Sequence, residues 1–187
     1  MRNVTTSPEA AAAAQTLFRV GLGGVLIAHG TQKLFGWFGG GGVEGTSKGM
    51  QAMGFRPARP SAVLAGVGEA GAGFALALGI ATPAAGAAAA TTMGVAASVH
   101  APNGFFATEG GLEYPAVLGL AAAAFTIGGS GPYSLDALTG HVLDRPWMRI
   151  TALAAIPTAI AIQVSRRRKA LASDAAAPVA GTGADES

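Results

Sequence analysis

"QTLFRVGLGGVLIAHGTQKLFGWF", residues 15–38, decides how the chain is read. A bilayer-spanning helix takes about 20 mostly apolar residues at a rise of about 1.5 Å each, and this stretch is long enough. It nevertheless carries Arg19, His29, Gln32 and Lys33. The rest of the chain fits a span. Of 187 residues, 50% are hydrophobic and only 12% charged, with a mean hydropathy of +0.44. A soluble domain carries about 25% charge, so a chain this poor in charge belongs in lipid rather than around a large water-soluble core.

Four more segments have the length and apolarity of spans: 61–81, 83–101, 113–129 and 147–165. The third of the five is built of alanine, which contributes little to insertion, so it depends on its neighbours. Thr82-Pro83 predicts a capped helix start with a first-turn proline, Pro115 plays a similar part in the fourth span, and Pro157 predicts a kink in the fifth. Glycines inside the spans, as in "GVGEAGAGFALALG" (66–79), would argue against helix in water. In lipid they let helix backbones approach closely. The expected fold is an all-α integral membrane helical bundle. Trp37, Phe38, Phe55, Phe105, Phe106, Tyr114, Tyr133 and Trp147 fall at span ends or in loops, as an interfacial aromatic belt does.

Several chemistries drop out. The chain has no cysteine, which excludes disulfides and thiolate sites. His29, His100 and His141 lack metal-ligand spacing, and His141 reads as a solvated loop residue. "GGGG" at 39–42 reads as a flexible loop rather than a phosphate cradle. Arg166, Arg167, Arg168 and Lys169 directly follow an apolar span, so they read as a membrane-flanking anchor, and no nucleic-acid partner is expected. The first 14 residues form a polar or alanine-rich tail with no cleavable signal, and the tail 170–187 has the composition of a disordered segment.

Polar residues crowd one side of the membrane. His29, Gln32, Lys33, Glu69, His100, Asn103, Glu109 and Glu113 all lie where the first span ends, the second begins, the third ends and the fourth begins. At the helical rise, His29 sits about 13 Å and Glu69 about 12 Å from that surface, with Lys33 at roughly 8 Å. Charge in lipid costs about 2.5–3.5 kcal/mol on insertion scales, so such groups turn into the bundle and pair. His29 and Lys33 share a helical face and are expected to point at Glu69. The alternative for Lys33 is to snorkel its ammonium to the interface. "SVHAPNGFFATEGGLEYP" (98–115) is expected to fold over the cluster as a lid.

Taken together, "LFRVGLGGVLIAHGTQKLFG" (17–36), "GFRP" (54–57), "GVGEAGAGFALALGIATPAAG" (66–86), "HAPNGFF" (100–106), "LEYP" (112–115) and "GSGPYSLD" (129–136) resemble the DoxX family of small bacterial inner-membrane proteins. The resemblance implies a four-helix DoxX-like core over 15–140, to which 141–169 adds a fifth transmembrane helix. It implies links to thiosulfate:quinone oxidation, to a membrane complex containing superoxide dismutase and a sulfurtransferase, and to terminal-oxidase assembly. It carries over a site of His29, Lys33, Glu69, His100 and Glu113, to which position adds Gln32. The expected setting is the bacterial plasma membrane, and quinone is the cofactor candidate. Soluble redox proteins or further copies of the chain are the candidate partners.

Seven Lys and Arg outside the spans (Lys48, Arg56, Arg59, Arg166, Arg167, Arg168, Lys169) lie on the polar side, against three outside or in the first turn of a span (Arg2, Arg145, Arg149) on the other. Positive-inside then places the C-terminus in the cytoplasm. Three functions compete: a membrane subunit of a redox complex, a non-catalytic scaffold or assembly factor, and a small-molecule transporter. The absence of an inverted repeat weighs against the last.

Overall fold

The computed structural model describes residues 7–176, and every element among them is helical. Helix α1 runs Pro8–Phe35, α2 Gly42–Ala52, α3 Ala58–Leu78, α4 Thr82–His100, α5 Glu113–Gly128, α6 Leu135–Leu138 and α7 Pro146–Ala176.

Local chemistry explains the boundaries. Helix α1 starts earlier than the apolar pattern does, because Ser7 caps it through a 3.1 Å bond from the Ala10 N–H, Pro8 opens the first turn and Glu9 follows. Residues 8–14, expected in a polar tail, are therefore helix, while 1–6 lie outside the described residues. Gly36 ends the helix in the left-handed region at φ 74°, which a glycine adopts without steric cost. The segment after it is not simply a flexible loop, since α2 begins at Gly42. Helix α7 passes Pro157 as one continuous helix and outruns the expected span. It takes in the basic run and residues 170–176, which were expected to be disordered; 177–187 lie outside the described residues.

Among the described residues three helices, α1, α3 and α7, are long and apolar enough to cross a membrane, and α5 is apolar but shorter. The alanine-rich α4 is held by neighbours, packing against α3, α5 and α7. The tightest seam joins α1 to α3. A Cβ on Gly23 would lie 2.5 Å from the Gly73 carbonyl oxygen, and one on Gly73 would lie 2.7 Å from that of Gly23. No larger residue fits either position without separating the helices. Small side chains fill the interior too: Ala72, Ala85, Ala89, Ala90 and Ala122 pack with Leu22, Leu26, Leu76, Met93 and Phe125. Large apolar side chains face outward instead, with Leu17 76% and Leu120 72% exposed. A water-soluble surface avoids such exposure, whereas a lipid-facing one requires it.

Polar groups tie the end away from Lys33. Arg19 is 1% exposed and donates to the carbonyls of Leu76 (2.8 Å) and Tyr133 (2.7 Å). The start of α4 is capped from a distance. The buried Asp136 carboxylate accepts from the N–H groups of Ala81 (2.9 Å) and Thr82 (3.1 Å), while the Thr82 hydroxyl, expected to be the cap, is buried with no partner.

A polar cavity at one end of the bundle

Lys33 and Glu69 meet because α1 and α3 almost touch. A Cβ on Gly30 would collide with the backbone of Ala70, and one on Gly66 would lie 2.7 Å from Leu34. That proximity carries the Lys33 ammonium across the seam to 2.5 Å from Oε2 of Glu69. Glu69 is 3% exposed, and the lysine side chain retains about a quarter of its exposure. Lys33 pairs rather than snorkels.

The pair forms one wall of a cavity of about 240 Å³. Helix α4 contributes Thr91, Thr92, Val95, Ala96, Val99 and His100, and α7 contributes Gln163. Met50 of α2, with Met53 and Phe55 from the turn that follows, supplies apolar surface. Lys33 and the Gln163 amide offer hydrogen-bond donors, Glu69 offers a carboxylate, and the Thr92 hydroxyl, whose proton goes to the Ala88 carbonyl, offers an acceptor. The cavity suits a small, mostly apolar molecule with oxygen acceptors at its edge.

The six residues singled out from sequence do not form one cluster. Lys33, Glu69 and His100 line the cavity. His29 turns elsewhere, its Nε2 bonded at 2.8 Å to the Tyr114 hydroxyl, with the two rings 5.5 Å apart. Gln32 donates to the Phe38 carbonyl at 3.3 Å. Glu113 accepts from the Ala107 N–H at 3.0 Å. Among the six only Glu69 is buried, and His100 is exposed. Tyr114 is thus more than part of an aromatic belt, and Phe55 is a cavity wall.

The 98–115 loop is not the lid. It closes on itself, with His100 Nδ1 2.8 Å from the Gly110 oxygen, Asn103 donating to the same oxygen at 3.2 Å, and the Glu113 N–H reaching Phe105. Phe105 and Phe106 are left exposed. The roof comes from Met50, Met53 and Phe55, which hydropathy does not single out. Gln163 left a clearer trace, as a lone amide in an otherwise apolar span. Among the described residues no group of three His, Asp or Glu side chains is placed to hold a metal.

Compared with known proteins, residues 14–102 match the DoxX family model. That stretch holds Lys33, Glu69 and His100 but neither Gln163 nor any of α7. No curated protein and no solved structure matches the chain. The chain thus carries a DoxX segment over residues 14–102, and its apolar helices suit a lipid bilayer.

Proposed function

We propose that this protein is the membrane subunit of a redox complex and that its cavity receives the ring of a quinone. The observation that carries the proposal is the Lys33–Glu69 pair set in the wall of an otherwise largely apolar cavity. Ionisable groups held within a membrane bundle mark functional sites by default. The residues fit the group. A volume of about 240 Å³ lies below the roughly 300–1,000 Å³ of pockets for drug-sized ligands, so it suits one ring with its tail outside. A bound quinone supplies two-electron, two-proton chemistry. Lys33 and Gln163 offer donors to ring oxygens, Glu69 offers a proton acceptor at its carboxylate, and the exposed His100 connects the cavity to water. Met50, Met53 and Phe55 keep bulk water out.

The proposed setting is the bacterial plasma membrane with the C-terminus in the cytoplasm, where soluble redox proteins dock on the polar end. A scaffold is the second candidate, because His29, Gln32 and Glu113 are each satisfied by a local partner, as packing groups would be. Purification in mild detergent, followed by lipid extraction and mass spectrometry, separates the two. Stoichiometric quinone in the wild type, lost in Glu69→Gln/Lys33→Met at equal protein yield, supports the redox subunit. Protein free of quinone, with partner binding intact in both forms, supports the scaffold.

A further inference from the structure

Helix α7 lies outside the family-matched segment, yet one of its faces grips the cavity roof. Arg167 Nε donates to the Met53 carbonyl at 2.7 Å, and the guanidinium carbon lies 5.9 Å from the centre of the Phe55 ring. A Cβ on Gly54 would fall 2.5 Å from the Leu171 side chain, so Leu171 packs directly on that glycine. Asp174 accepts from Arg56 at 2.6 Å. Positions 167, 171 and 174 recur at helical spacing and share a face, and Gln163, one turn earlier, lines the cavity itself. Within the basic run Arg167 is half-buried, while Arg166, Arg168 and Lys169 are exposed. Only Arg167 is turned inward.

The roof so held is joined to α1 through residues 36–42, where Gly36, Gly39 and Gly42 all take positive φ. This is a glycine-rich joint whose far side is fastened by α7.

We propose that α7 is the clasp of the cavity, with Arg167 the positioning residue that holds the Met50–Phe55 roof closed and Gln163 the polar wall that α7 adds. Ligand access then depends on a helix beyond the family-matched segment. The proposal rests on the cavity being a binding site, but its test needs no quinone.

The chain has no cysteine, so single cysteines report access without background. Thr92→Cys places a thiol in the cavity wall, and Thr126→Cys places one in the buried core. Each is exposed to a small water-soluble methanethiosulfonate in quinone-depleted detergent preparations. Thr92→Cys is expected to react slowly. Adding Arg167→Met is expected to speed it about ten-fold, the worth of one charged hydrogen bond, and Arg167→Lys, which keeps a donor for the Met53 carbonyl, to restore most of the slow rate. Thr126→Cys stays unreactive throughout. If Arg167→Met does not accumulate, Asp174→Asn loosens the same clasp and is expected to raise the Thr92→Cys rate in the same direction. An unchanged rate at Thr92→Cys, or an equal rise at Thr126→Cys, overturns the clasp. Failure to find quinone in the protein removes the proposed ligand and leaves these rates as they are.

Discussion

The Lys33 ammonium and the Glu69 carboxylate stand 2.5 Å apart across a seam where α1 and α3 are separated by little more than backbone. Glu69 is buried and Lys33 is its ion-pair partner, so the energetics of this end of the bundle are those of a buried pair.

Removing one member leaves the other uncompensated, at a cost of about 3–5 kcal/mol, whereas replacing both with apolar groups is close to neutral. Lys33→Met alone should therefore lower the detergent melting temperature and membrane yield more than Lys33→Met with Glu69→Gln. Equal yields for the single and double variants would show that the pair is not coupled.

The seam predicts a contrast between two glycines of one helix. Gly73 faces α1 at contact distance, while a Cβ on Gly71 meets nothing within 4 Å. Gly73→Val should destabilise by about 1–3 kcal/mol, the usual cost of overpacking. Gly71→Ala should be neutral or slightly stabilising, and thermal unfolding of the two variants side by side measures the difference.

Asp144, in the turn before α7, is buried, which by itself would raise its pKa. Bonds from Arg149 and from both the N–H and the hydroxyl of Ser130 outweigh burial and hold it below the ordinary carboxylate value. A depressed native pKa contributes stability above the unfolded value and loses it as pH falls through the native one. The wild type should therefore lose stability on acidification below roughly pH 4, near the ordinary aspartate pKa. Asp144→Asn should be less stable at neutral pH and show a smaller acid loss. Parallel pH profiles for the two would remove Asp144 from the account.

The topology yields a further outcome. Arg167 and Asp174 contact the 53–56 turn, so the far end of α7 lies beside the α2–α3 connection. A reporter fused after Lys169 and one replacing the tip of α2 should register the same compartment, which the charge count makes the cytoplasm. Opposite compartments would require a different path for α7.

Much of this was legible in the residues and some was not, for physical reasons. The all-helical, lipid-suited class follows from composition, because lipid imposes a length and a polarity on its helices, although of the five expected spans only α1, α3 and α7 have both among the described residues. Lys33 and Glu69 were legible because a short carboxylate at that depth must find a cation within reach. The Tyr114 partner of His29 and the Asp136 cap of α4 were not, since each joins residues far apart in sequence through the packing of the whole bundle. The roof escaped for another reason. Residues 42–52 carry six glycine, serine, threonine or charged positions in their first seven, which resembles a loop, and only docking on α1 and α3 makes a helix of them.

The most direct measurement is the binding of a short-tailed quinone to purified protein, wild type against Ala96→Phe. Ala96 lines the cavity, and the substitution takes up part of its volume while leaving both Lys33 and Glu69 in the chain. Saturable one-to-one binding by the wild type, weakened at least about ten-fold in Ala96→Phe (1.4 kcal/mol or more) with an unchanged melting temperature, is the expected result. No saturable binding by the wild type, or equal binding by both, contradicts a quinone site in this cavity.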